Sequence, residues 1–335
     1  VELGPWTPAL LEQAGSARRQ HAGMKTLTLV VIARNEARCI TRCLNSFGDH
    51  VDHMLVLDTG STDDTVALGQ ALAAQYPDIV RYLWAPNQGA GPARERGRLH
   101  ARGEFIQYLD SDDTLWPRKF EVQIAALRAR PETGAAYGWI RLCPEGGEPI
   151  EKSHKWSGRE LSSLFPALLV DRWWNTDAPL WRRSVCDQIG PWSDLRFSQD
   201  WEYDARAGAL GVKLVYCPEF VTDQRHHEGN RQTGSGRWLS PPDRVRFFTA
   251  LYTHARSAGV ESASPEMKHF SRWVFRHARE CGQLGDNKAA SDLCELTLRA
   301  QGHDSLELAG YRGLAAILGW KRAGELSENT RRWTG

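Results

Sequence analysis

Gly103-Glu104-Phe105-Ile106-Gln107-Tyr108-Leu109-Asp110-Ser111-Asp112-Asp113 reads as an apolar strand that delivers three carboxylates to its carboxyl end. Carboxylates this close repel one another unless a positive charge is shared between them, and a hard divalent cation bridging to a phosphate meets that need. The stretch therefore points to a metal and a phosphorylated ligand. A plainer reading is a solvated turn in which Asp112 or Asp113 caps a helix beginning near Pro117.

The residues upstream weigh against the plainer reading. Thr26 to Ala33 is an almost continuous apolar, β-branched run, the pattern of a strand buried on both faces in a parallel sheet. It ends in Arg34-Asn35-Glu36. A helical stretch with Ile40, Leu44 and Phe47 follows, then a second strand from His53 to Leu57 that stops at Asp58, and together they predict a βαβ unit. Asp58-Thr59-Gly60-Ser61-Thr62-Asp63-Asp64-Thr65 supplies an acid at the strand end, a glycine for a tight turn, and Thr62 or Asp63 to cap a helix through Val66, Leu68 and Leu72. A third strand, Ile79 to Trp84, and a helix after Gly91-Pro92 complete a half-sheet. Parallel sheets bind ligands at the carboxyl ends of their strands, and Ala33, Asp58 and Asp110 all occupy such ends, which favours a nucleotide site.

Val30 to Glu36, Val56 to Thr65, Ala93-Arg94 and Gly103 to Asp113, with Arg182 to Trp192 and Gln199-Asp200-Trp201-Glu202-Tyr203 downstream, resemble the family 2 glycosyltransferases. The resemblance covers about Lys25 to Gly234. It implies an α/β fold of the GT-A type, a Rossmann-like, mostly parallel sheet flanked by helices, here with a C-terminal all-helical region. It further implies a metal-dependent inverting transfer of sugar from a nucleotide-diphosphate sugar, a UDP-sugar first, to an acceptor hydroxyl. Ala33, Arg34, Asn35, Glu36, Asp58, Thr59, Arg94, Asp110 and Ser111 would hold the donor. Asp110 and Asp112 would ligate Mn²⁺ or Mg²⁺, with Asp113 in reserve. A histidine often completes the metal site in related enzymes, and the family pattern favours His227 over His226. One departure concerns the second strand, where the family often has a second acid and this chain has Thr59.

Three further assignments rest on side-chain chemistry. Arg98 stands four residues after Arg94 on one helix face, so both are placed to reach one phosphate. Inverting transfer requires a base opposite the leaving diphosphate; Asp200 is the candidate and Glu202 the alternative, whereas the plainer role of Asp200 is to cap its helix. Acceptor sugars stack on flat rings, which selects Trp173, Trp174 and Trp201 with Asn175, although tryptophans equally fill cores.

The chain has 335 residues, and its 42 basic and 41 acidic residues leave a net charge of +1, so no field draws the whole protein to nucleic acid. Its seven cysteines include no Cys-x-x-Cys pair and read as free thiols of a reducing compartment. No apolar stretch reaches transmembrane length and the first residues lack a signal-peptide order, so a soluble, cytoplasmic enzyme is expected. Domains are expected at 1–24 (an extension), 25–236 (catalytic) and 237–335 (helical), with Pro241-Pro242 marking the last boundary. Helices are expected from Ser264, from Asp286 to Ala300 and from Ser305 to Leu318, a tail suited to binding a protein, shaping the acceptor site or forming a homodimer, or else to plain packing against the catalytic domain. Two other functions fit less well. A nucleotidyltransferase of similar fold would carry a glycine-rich loop where Ala33-Arg34-Asn35-Glu36 stands, and a non-catalytic scaffold working through its tail would not need Asp110, Asp112 and Asp200.

Overall fold

A computed structural model describes residues 26–44, 46, 51–225 and 240–331. Phe47, His226 and His227 lie outside the described residues, as does the 1–24 extension. Strands β1 (Leu27–Ala33), β2 (His53–Asp58), β3 (Val80–Trp84) and β4 (Phe105–Asp110) run parallel in the order β3-β2-β1-β4. Leu29, Val30, Val31, Leu55 and Val56 are wholly buried, which is why these strands read as unbroken apolar runs. Helices α1 (Ile40–Leu44), α2 (Thr65–Gln75) and α3 (Ala90–His100) fall between consecutive strands. A Cβ on Gly97 would lie 2.3 Å from Val30 Cγ1, so α3 approaches β1 as closely as glycine allows. The register pairs Ala33 with Asp58 and Ile32 with Asp110, setting three strand ends side by side.

The sheet continues through β5 (Thr114–Leu115), β6 (Thr133–Cys143), β7 (Ile150–Ser153), β8 (Leu180–Arg182) and β9 (Lys213–Arg225), in the order β4-β8-β6-β9-β5 with β7 beside β6. Helix α4 (Lys119–Ala129) precedes β6 and α5 (Arg183–Ile189) follows β8. The short β8 is antiparallel to both β4 and β6 and joins the parallel half to the rest. β9 runs as far as Arg225 because its second half pairs with β5 and with the far end of β6.

Packing divides the described residues into two units. The first holds 26–162, 172–194 and 212–225, with the sheet and a core that includes Leu29, Val31, Val56, Leu109, Phe120 and Leu127. The second holds 163–171, 195–211 and 240–331. Its helices are α6 (Gln199–Ala209), α7 (Pro241–Ser257), α8 (Pro265–Gln283), α9 (Asn287–Gln301), α10 (Leu306–Leu318) and α11 (Trp320–Arg331).

A single cut at 236 does not follow this division. Phe165, Leu168, Leu169, Leu195 and Ala205 share a core with Phe247, Phe248, Leu251, Met267 and Phe270. The reason lies in α6, whose inward face offers Ala205 and Gly208, while Leu210, just past its end, is exposed. Pro241-Pro242 forms the first turn of α7 rather than a break, since proline loses no bond there and the Ser240 hydroxyl accepts the Asp243 N–H at 3.3 Å. The helix expected at Ser264 begins as read, its hydroxyl accepting from Met267. Among the described residues no helix is long and apolar enough to cross a membrane.

Candidate active site

Where β1 ends, the loop that follows is clamped to the loop after β2. Asn35 adopts the left-handed region (φ 56°), which asparagine tolerates, and its N–H donates to Ser61 Oγ at 2.9 Å. Asn35 Oδ1 accepts the Thr62 N–H at 2.8 Å, and the Glu36 N–H donates to Thr65 Oγ1 at 2.8 Å. Asp58 is buried and its Oδ1 accepts the Ser61 N–H at 2.8 Å, closing the turn that Gly60 permits with φ 81°. Burial and the Asp58 carboxylate together push the Tyr82 hydroxyl well above its ordinary pKa. Thr59 uses its N–H and its hydroxyl on the Ala33 carbonyl, at 3.0 and 3.3 Å, and so stitches the strand ends together. Arg34 is exposed on this loop and Ala33 lies under it.

Across the row of strand ends, Asp110 meets Arg94 of α3 at 2.6 Å. The guanidinium is 4% exposed and the carboxylate 33%, so the pair opens toward solvent on its acidic side. Arg94 also lies over the Trp192 ring at 5.2 Å, while its Nε and Nη1 are buried without a hydrogen-bond partner. A buried guanidinium with unused donors is a ready binder of oxyanions. Ser111 is buried and Asp112 half-buried in the following turn.

Beneath this turn lies a polar cluster that the sequence reading did not identify. Asp177, fully buried, accepts the Asp110 N–H on Oδ1 at 2.8 Å and the Asn175 side-chain N–H on Oδ2 at 2.8 Å. Asn175 also donates to Asp113 Oδ2 at 3.3 Å, and Asp113 Oδ1 accepts the Arg225 N–H at 2.7 Å. Burial, reinforced by neighbouring carboxylates, pushes both Asp113 and Asp177 well above the usual carboxylate range. Lys119 donates to the Asp177 and Ala178 carbonyls at 3.0 and 2.8 Å, and burial lowers its pKa to about 7. The same surroundings drive the Cys43 thiol up, its Sγ sitting 3.6 Å from the Asp110 carbonyl.

Asp113 is thus occupied in holding β9 and the 175–177 loop, which leaves Asp110 and Asp112 as the carboxylates of the turn. Their hard oxygen donors suit Mg²⁺ or Mn²⁺, which take part of their coordination from substrate phosphates. Among the described residues no three His, Cys, Asp or Glu side chains form a ready-made cage.

Several assigned roles change with the geometry. Arg98 does not share a phosphate with Arg94, because Glu95 takes its Nε and Nη2 at 2.9 and 2.8 Å and Asp187 takes Nη1 at 2.6 Å. Trp173 and Trp174 are 1% exposed, stacked on Trp156 and tilted against Tyr137, and present no open face to an acceptor. Asn175 faces the carboxylates described above. In the second unit, Glu202 is buried in a two-pronged pair with Arg206 at 2.8 and 3.0 Å, with His254 at 3.9 Å, an arrangement that disfavours a base. Asp200 is half-buried, and its Oδ1 accepts the N–H of Trp201 at 2.8 Å, while Ser198 rather than Asp200 holds the cap position. Trp201 is partly exposed and donates from Nε1 to the Leu168 carbonyl at 3.1 Å.

Comparison with known proteins agrees with this architecture. An uncharacterized glycosyltransferase of Nostoc is 33% identical over 203 residues, which is 58% of this chain and 60% of the relative's own length. Chondroitin synthase of Escherichia coli is 29% identical over 168 residues, 48% of this chain and 24% of that protein. The crystal structure of S. aureus TarS 1-349 in complex with UDP-GlcNAc superimposes with a TM-score of 0.69 at 16% identity, over 92% of each chain, and so shares the fold. The family model for glycosyl transferase family 2 matches residues 28–180, just under half of the chain, and that span holds every strand-end residue described above.

Proposed function

We propose that the protein transfers a sugar from a nucleoside-diphosphate sugar, a UDP-sugar first, to an acceptor hydroxyl with inversion at the anomeric carbon. The observation that carries this reading is the Arg94–Asp110 pair at the end of β4, where a buried guanidinium with two unused nitrogens lies beside a partly open carboxylate. Arg94 contributes fixed positive charge for the diphosphate oxygens, and Asp110 with Asp112 would hold Mn²⁺ or Mg²⁺. That ion supplies charge neutralisation for the departing diphosphate. Asp177 and Asn175 keep the turn in place, since the Asp110 amide is bound from below. Asp200 takes the proton of the acceptor hydroxyl as the new C–O bond forms and the bond to the diphosphate breaks. The shared fold with TarS, solved with UDP-GlcNAc, supports a uridine donor.

The test is a panel of nucleotide sugars assayed for hydrolysis and transfer, with and without chelator, on the wild type and Asp112→Asn. Donor-selective turnover that needs added Mn²⁺ and disappears in Asp112→Asn is expected. Turnover indifferent to chelator and to the substitution refutes the metal assignment, and no turnover with any donor refutes the transferase reading.

A further inference from the structure

The second unit contains a cavity of about 490 Å³ whose lining includes Asp171, Trp201, His269, Arg272, Trp273 and Arg276. Four of these come from one stripe of α8, spaced at i, i+3, i+4 and i+7. The other side of that helix, with Phe270, Val274, Ala278 and Cys281, is buried in the core, so the stripe is held rigidly. The two indole rings stand 5.2 Å apart at 34°. Neither is loose: Trp201 is tied to the Leu168 carbonyl, and Trp273 sits edge-on against Phe248 at 4.8 Å.

The charges around these rings are unbalanced. Among the described residues Arg272 has no ion-pair partner. Arg276 reaches Glu280 only at 3.9 Å, and that carboxylate is already engaged by Arg244 at 2.8 Å and His277 at 3.1 Å. Two guanidinium groups therefore face the cavity against the single carboxylate of Asp171. Fixed aromatic faces receive the C–H faces of sugar rings, and guanidinium groups bind carboxylates and phosphates through two parallel hydrogen bonds.

From this geometry we infer that the cavity binds an anionic sugar, one carrying a carboxylate or a phosphate ester, as the acceptor. The inference rests on the transferase reading for the word acceptor, and on the cavity alone for the ligand's chemistry. Trp201 directly follows Asp200 in α6, so the aromatic floor and the assigned base belong to one helix.

The experiment is calorimetry on the full chain with four probes: tetragalacturonate, its methyl ester, glucose 6-phosphate and glucose. Each charged probe differs from its neutral counterpart only in the anionic group. At least one charged probe should bind tenfold or more tightly than its counterpart, and the tighter of the two charged probes identifies carboxylate or phosphate as the group recognised. Arg272→Gln with Arg276→Gln, both exposed and outside the core, should remove that preference while nucleotide-sugar hydrolysis continues. Charged and neutral probes binding alike, no saturable binding up to about 10 mM, an unaltered preference in the double variant, or displacement by UDP would each overturn the inference. Probe binding as predicted in a protein that turns over no nucleotide sugar would leave the anionic site standing and remove the transferase reading.

Discussion

Arg94 Nη2 lies 2.6 Å from Asp110 Oδ1, and the two residues reach each other from different elements, α3 and the end of β4. Helix α3 is pressed against β1 at Gly97, one turn beyond Arg94, so the depth of the guanidinium is set by backbone packing rather than by side-chain reach. Replacing Arg94 by methionine should lower stability by about 1–3 kcal/mol, the range for stranding a hydrogen-bonded buried partner, with the lower end favoured because Asp110 is one-third exposed and rehydrates. Donor KM should rise at least tenfold, and Arg94→Lys should recover only part of it, since lysine lacks the planar fork. Equal KM values for wild type and Arg94→Met would refute an oxyanion role.

The two acids of α6 are expected to separate cleanly. Asp200→Asn should keep nucleotide-sugar affinity and lose on the order of a hundredfold in transfer rate, the size of a general-base contribution. Glu202→Gln breaks the pair with Arg206, so it should lower the melting temperature while retaining turnover in the folded fraction. Pre-steady-state rates on both variants check this. An active Asp200→Asn beside a dead but well-folded Glu202→Gln reverses the assignment.

Truncation after residue 236 tests the division of the core. It removes Phe247, Phe248, Met267 and Phe270, the partners of Phe165, Leu168, Leu169 and Leu195. The shortened chain should bind a hydrophobic dye and be cut by protease between 195 and 211 under conditions that leave the full chain intact. A truncated chain that resists cleavage there would show that these residues do not depend on the C-terminal helices.

Lys119 gives stability a pH dependence of definite sign. Its folded pKa, about 7, lies below the ordinary 10.5 because burial disfavours the charged form. Between those values the unfolded chain binds more protons than the folded one, so stability rises with pH through that window, by at most about 1.4 kcal/mol per unit. Denaturant melts of wild type and Lys119→Met at pH 7, 8 and 9 should show the rise in the former and a flatter profile in the latter. Parallel profiles would mean that Lys119 stays protonated when buried.

The parallel half-sheet was legible because strands buried on both faces have no polar alternation to confuse them, as in β1 and β4. Helices α8, α9 and α10 were legible from Ser264, Asp286 and Ser305, each of which accepts from the amide three residues on. β8 was not, since three residues carry no period, and its place is fixed by partners on β4 and β6. The role of Asp177, a residue read only as part of an acceptor loop, was hidden for a similar reason: its bond to the Asp110 amide spans 67 residues and has no local spacing. Helical spacing put Arg98 beside Arg94 correctly, yet Glu95 and the distant Asp187 decide what it touches.

The interleaving of the two cores bears on how the chain is made. A ribosome emits Phe165, Leu168, Leu169 and Leu195 long before Phe247 or Met267 exists, so their apolar side chains must wait uncovered through some fifty or more further residues of elongation. The sheet has all its described strands once Arg225 has emerged, whereas α6 has no finished surface to settle on until α7 and α8 follow. Slow translation or a stalled ribosome in that interval therefore leaves the segment that carries Asp200 sticky and unfolded, a window in which chaperone supply governs the yield of complete protein.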